Sequence, residues 1–439
     1  MKKLLFFLLL IPGIATAQPI YNLKQCLETG LERNYEIRII KNTQQISDNN
    51  ATAGNAGYLP NIGFSSDYSG ALNNMIQQYP VGGDKLTYNN ILNQTFNAGI
   101  YVNWTIFDGL SIQTNHKRLN ELKKIGELNT RLTIENYIAE LSAEYYNYVR
   151  QNIQLNNLSY AVTLSKERLR IVEERYNIGS MSRLDLQQAK VDFNADSSRL
   201  IRQKEMLFFS RVRLNQLMGL ENVEEHTATT DTLIILNENK LVEKEDAWQN
   251  VLGQNIFLTL SEKNIYLSEL DLKSIESVNY PYLRLNTGYG YTYNGYQMGS
   301  IQKQNTLGLT YGVTLGITIF DGMNRSRQQK NARIEIENRK LAHDNVFLSL
   351  KSDFSNIWMA YENNRGLMQL EEENLKTAED NYGIAIDRYK LGDLSGIELR
   401  EAQNSLLEAE ERLVQAQYNT KLCEISLLQI SGKITTLLN

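Results

Sequence analysis

Residues 307–322 read Leu-Gly-Leu-Thr-Tyr-Gly-Val-Thr-Leu-Gly-Ile-Thr-Ile-Phe-Asp-Gly, and this stretch decides the fold. Apolar side chains at 307, 309, 311, 313, 315, 317 and 319 alternate with glycine or threonine, the period-two pattern of a strand with one apolar face. Its length, its small or polar alternate positions and the tyrosines clustered nearby suit a membrane β-strand, with apolar side chains toward lipid and small ones toward a lumen. A soluble sandwich shares only the alternation. After Asp321-Gly322 the period changes. Met323 to Leu391 contains no proline, and as one helix this run spans roughly 100 Å at ~1.5 Å per residue.

Working outward, the chain reads as an internal repeat. Thr318-Ile319-Phe320-Asp321-Gly322 has its counterpart in Thr105-Ile106-Phe107-Asp108-Gly109, and Arg388-Tyr389-Lys390-Leu391-Gly392 in Arg175-Tyr176-Asn177-Ile178-Gly179, both 213 residues earlier. Upstream the offset is 221, matching Asn34 to Asn255 and Pro60 to Pro281, so the first copy carries a longer loop around Gln77 to Asn90. Leu141, Tyr145, Tyr148, Asn152, Leu155, Leu158, Val162, Ser165, Leu169, Val172 and Tyr176 form a near-heptad stripe, the mark of coiled-coil packing.

Each copy is expected to contain an opening helix (Leu23 to Ala56; Lys240 to Ser277), a β-hairpin (about 61–107; about 282–320), a long helix (110–178; 323–391) and a return helix (183–218; 396–431). Repeat 1 is assigned to 18–220, an equatorial connector to 221–239, repeat 2 to 240–432 and a short C-terminal tail to 433–439. The opening and return helices together match one long helix, so they are expected to stack end to end beside it. Alternating segments also occur at Phe96 to Ile106 and Leu283 to Tyr293.

Lys2 and Lys3 before the apolar run Leu4 to Ile11, followed by Pro12-Gly13 and Ala15-Thr16-Ala17, read as a signal peptide over 1–17. No cysteine stands at that cleavage point, so no lipidated N-terminus is expected. Two cysteines, Cys26 and Cys423, are too few for a disulfide framework and read as packing residues. A net charge of -5 leaves no basic excess for nucleic acid. The three histidines, His116, His226 and His343, lack metal-ligand spacing with cysteine, and neither a phosphate-cradling loop nor a nucleophile elbow is present. Neither enzyme chemistry, cofactor nor metal is expected.

Four strands cannot close a barrel, and an open sheet edge in lipid leaves backbone groups unpaired, so the chain is expected to oligomerise. A trimer of twelve strands could hold a channel. A periplasmic coiled-coil adaptor or scaffold is the rival reading, but it has no need of alternating strands.

The doubled order of elements, Phe-Asp-Gly after the second strand of each copy, and the paired Arg-Tyr-x-x-Gly-x-x-Ser turns resemble the TolC-like outer membrane factors over essentially the whole mature chain. The resemblance implies a mostly α fold with a membrane β-barrel portion, as a homotrimer with a 12-stranded barrel in the outer membrane and a 12-helix periplasmic tunnel. It implies a channel of a tripartite efflux pump or type I secretion system, passively exporting drugs, metal ions, small molecules or polypeptide. The partners would be outer-membrane lipid, a periplasmic adaptor (membrane fusion protein) and an inner-membrane transporter.

The turn residues Arg175, Gly179 and Ser182, with Arg388, Gly392 and Ser395, frame tight reversals between helices. By resemblance these tips dock the adaptor. Glu398 and Glu401 stand on one face of the second return helix, where helix-start acids suit the dipole. The resemblance makes them rings at a narrowed entrance, with Tyr389 bonded to Asp185 as a closing latch. Leu394 occupies the place of the family's latching arginine, and no long tail follows the last helix before Asn439.

Overall fold

The computed structural model describes residues 20–78, 85–231 and 243–438. The expected signal peptide, Pro80 in the long loop and residues 232–239 of the expected connector lie outside the described residues. In chain order the elements are β1 (Ile20–Tyr21), α1 (Leu23–Arg33), α2 (Tyr35–Asn50), α3 (Ala53–Ala56), β2 (Asn61–Gln77), β3 (Leu86–Asp108), α4 (Ser111–Asn177), α5 (Arg183–Leu217), β4 (Ala228–Thr229), α6 (Lys244–Gln254), α7 (Ile256–Ser277), β5 (Tyr282–Tyr296), β6 (Lys303–Gly316), α8 (Asn324–Leu391) and α9 (Gly396–Ile430). A 3-10 turn at Ile434–Leu438 places buried Ile434 where a plain tail was expected. The chain is mostly helical, and among the described residues no helix is long and apolar enough to cross a membrane.

Two compact units divide it, one of residues 42–128 and 259–345, the other of residues 1–41, 129–258 and 346–439. The first holds a four-stranded antiparallel sheet in the order β2-β3-β5-β6. Register sorts its side chains by face. One face carries rows such as Phe64–Ile100–Tyr289–Leu309 and Ile62–Val102–Thr287–Tyr311, the other Ser65–Gly99–Gly290–Gly308 and Asp67–Asn97–Thr292–Thr306. Hydrogen bonds run across the second face, from Asn97 Nδ2 to Asp67 Oδ2 at 3.0 Å and from Thr292 Oγ1 to Asn97 Oδ1 at 2.8 Å. Here Gly288 has a packing reason: the Tyr101 ring lies where its Cβ would stand. The outer strands β2 and β6 run in opposite directions, and each has one partner strand among the described residues. Strand β6 stops at Gly316, short of the expected 320, because β5, its one partner among the described residues, begins at Tyr282 opposite Gly316.

In the second unit the stripe positions of α4 and α8 are buried or half-buried, apart from Tyr176 and Arg365. Tyr137, Ile138, Leu141, Tyr145 and Val149 pack with Leu27, Ile37 and Leu214 in the main apolar cluster. Buried tyrosine hydroxyls there find partners: Tyr137 donates to Leu217 O at 2.8 Å, Tyr148 to Thr227 O at 2.7 Å and Tyr145 to Asp231 at 2.9 Å. Cys26 is fully buried in this cluster, and burial pushes its thiol up to about 12; both cysteines are free.

The single opening helices expected over Leu23 to Ala56 and Lys240 to Ser277 are corrected by this structure. Asn34 and Asn255 take extended backbone and interrupt them. Asn34 Oδ1 accepts from the N–H groups of Glu36 and Ile37, capping α2, while its Nδ2 donates to Leu217 O at the end of α5. Asn255 likewise caps α7 through Phe257 and Leu258 and donates to Ile430 O at the end of α9. One side chain thus satisfies the start of one helix and the finish of another.

Candidate channel entrance

The helices α4 and α5, and likewise α8 and α9, are joined by short reversals, and the sequence chemistry of each reversal is visible atom by atom. Gly179 and Gly392 take φ of 78° and 86°, the left-handed conformation that ends a helix. The N–H of Ser180 donates to Arg175 O at 2.8 Å and that of Asp393 to Arg388 O at 2.9 Å, so the last carbonyls of α4 and α8 are satisfied. Ser182 and Ser395 then open α5 and α9 with capping boxes: each hydroxyl accepts from the N–H three residues on, and the Asp185 or Glu398 carboxylate accepts from the serine N–H. The Ser182 hydroxyl and backbone hold the Asp185 carboxyl below its ordinary range, and Ser395 does the same to Glu398.

The two expected arginines differ in what they hold. Arg388 turns back on its own reversal, donating to Asp393 Oδ2 and to Asp393 O at 3.2 Å each. Arg175 reaches the other hairpin: it donates to Tyr389 O at 3.3 Å and Lys390 O at 3.2 Å, and its guanidinium lies 5.2 Å from the Tyr389 ring centroid. Tyr389 is fully buried and its hydroxyl has no hydrogen-bond partner among the described residues. Burial pushes this hydroxyl's pKa up. A Tyr389–Asp185 bond is therefore not made here, and the local reason is that Asp185 is engaged by Ser182.

Asp185, Tyr389 and Glu401 nevertheless line one cavity of about 140 Å³ together with Gln188 and Arg400. Glu398 is absent from that lining and faces Ser395 instead. Arg168, Asp192 and Arg400 of the cavity wall belong to a charge network that sequence reading missed. Asp196, 1% exposed, accepts from both terminal nitrogens of Arg400 at 2.6 and 2.8 Å and from the Ser165 hydroxyl. Arg168 pairs with Asp192, and Gln403 Nε2 donates to Ser165 Oγ at 3.2 Å. Burial alone would raise the Asp196 carboxyl, but Arg400 and Ser165 together bring it below the usual range. The only sequence signal was Ser165 on the apolar stripe, a polar residue with no stated partner.

The antiparallel sheet thus has one apolar and one polar face, and the helical hairpins carry a charged, partly buried cavity near their reversals. The model of the outer membrane efflux protein family matches residues 27–220 and 279–433, and the chain belongs to that family. It is similar to the outer membrane efflux protein BepC of Brucella suis biovar 1 (strain 1330), 20% identical over 345 residues, covering 78% of this chain and 73% of that protein. It is also similar to the outer membrane protein TolC of Escherichia coli (strain K12), 21% identical over 462 residues, covering 99% of this chain and 87% of the relative. Among solved structures the Campylobacter jejuni CmeC outer membrane channel superposes with a TM-score of 0.78 at 16% identity, covering 94% of this chain and 86% of that one. The protein is accordingly placed in the outer membrane of a Gram-negative cell.

Proposed function

We propose that three copies of this chain assemble into a passive export conduit, with twelve strands closed as a barrel in the outer membrane and twelve helices forming a periplasmic tunnel. The carrying observation is the sheet: one apolar face, one polar face, and two single-partnered outer strands of opposite direction. Opposite direction lets β6 of one copy pair antiparallel with β2 of the next, which removes the unpaired edge that lipid does not tolerate. The internal repeat, with copies at 18–220 and 240–432, supplies two hairpins and two helical pairs per chain in this reading.

The tips support docking of a periplasmic adaptor that links the conduit to an inner-membrane transporter, in an efflux pump or a type I secretion system. Ile178, Leu184, Leu391 and Ile397 flank the reversals and are 76–85% exposed, an apolar surface left open around Gly179 and Gly392. Glu398 and Glu401, three copies of each, form the cation-binding constriction of this reading, beside Asp185 and Tyr389. Native mass measurement in detergent is expected to give three chains per particle, and a stable monomer overturns the assembly.

A further inference from the structure

A buried polar cluster beside the entrance cavity joins three helices. Asp196 belongs to α5, Ser165 and Arg168 to α4, and Arg400 and Gln403 to α9. A carboxylate stripped of water stays charged only where donors replace that water, and Asp196 has two from Arg400 and one from Ser165. Arg168 adds a contact to Gly396 O at 3.5 Å, and Gln403 one to Ala161 O at 3.4 Å. The first two turns of α9 are therefore held against both helices of the other hairpin.

Nearer the tip the links are weaker. The Tyr389 hydroxyl has no partner among the described residues, and Arg175 meets the neighbouring hairpin through two backbone carbonyls, at 3.2 and 3.3 Å, and the Tyr389 ring. The Arg400–Asp196 pair is also asymmetric: 213 residues away the corresponding positions are Gln187 and Ala409, so it occurs once per chain. Arg400 adjoins Glu401 and follows Glu398 by two residues, within the same turn or so of α9.

We propose that Arg400 is a positioning residue: clamped on Asp196 through both terminal guanidinium nitrogens, it holds the first turns of α9, and with them Glu398 and Glu401, at the channel entrance. The inference rests on the reading of those two glutamates as the constriction. Fixing α9 this way keeps the carboxylates converged, and releasing it lets them spread.

The test uses the full-length assembled protein in planar bilayers. Arg400→Gln and Asp196→Asn are each expected to raise single-channel conductance, by roughly threefold or more, and to lower cation-over-anion permeability. A through-space effect of the lost charge predicts opposite signs for the two variants, since removing a cation favours cation passage and removing an anion disfavours it. The double variant is expected to be no more conductive than either single, because both remove one link. Opposite signs of selectivity change, or wild-type conductance in both assembled singles, overturns the proposal. If the singles fail to assemble because a charge is left buried alone, the neutral double variant carries the test, raised conductance supporting the clamp and wild-type conductance overturning it. Unchanged selectivity in a Glu398→Ala/Glu401→Ala channel overturns the constriction reading itself, whatever the outcome at Arg400.

Discussion

Asp185 and Glu398 illustrate how one side chain closes two accounts at a helix start. Each accepts from a serine N–H while its own N–H is accepted by that serine's hydroxyl. Both capped carboxyls have depressed pKa values relative to ordinary values of 3.8 and 4.5. A depressed folded-state pKa contributes stability that is present above the unfolded value and is lost as pH falls through the folded one. The starts of α5 and α9 are therefore expected to fray only in acid, below the ordinary carboxyl range, with protection intact at neutral pH. Hydrogen exchange over residues 183–189 and 396–402, corrected for intrinsic rate, checks this; Ser182→Ala and Ser395→Ala variants should show fast exchange already at neutral pH. That these serines cap was legible from Gly-x-x-Ser, because the motif is local. That Tyr389 leaves its hydroxyl unpartnered among the described residues was not legible, because it depends on which contact wins Asp185.

At the scale of elements, the strands were legible because a period of two is a strong signal when the alternate residues are glycine and threonine. Pairing between β3 and β5 was not, since nothing local in either strand names its neighbour; register then aligned the apolar rows on one face. The interruptions at Asn34 and Asn255 were hidden for a related reason. An asparagine inside a helical pattern reads as tolerated, and its capping role appears only with Leu217 O and Ile430 O beside it. The two faces make a prediction within β6. Val313 sits opposite Leu285 on the apolar face and Thr314 opposite Arg284 on the polar one. Val313→Arg is expected to cost ~2 to 4 kcal/mol of membrane stability at mid-bilayer, whereas Thr314→Arg should leave assembly intact and alter conduction. Folding titrations into lipid vesicles and bilayer recordings separate the two, and equal effects would mean the faces are wrongly assigned.

For the whole molecule the decisive question is what becomes of the outer strands β2 and β6. Family membership sets the fold, and the fold as one chain leaves two ladders of backbone groups without a strand partner among the described residues. In an isolated open sheet, successive residues of β6 direct their N–H groups alternately toward β5 and away from it. Proline removes one N–H, so along an open edge it would be harmful at every second position and tolerated between them. In a closed barrel the outward N–H groups are paired with the next copy, and no position is spare. A proline scan at Leu309, Thr310, Tyr311 and Gly312 is expected to abolish the heat-modifiable oligomer at all four positions. Tolerance at alternate positions, read as unchanged migration of unheated samples, would show that β6 ends the sheet and that the barrel does not close through it.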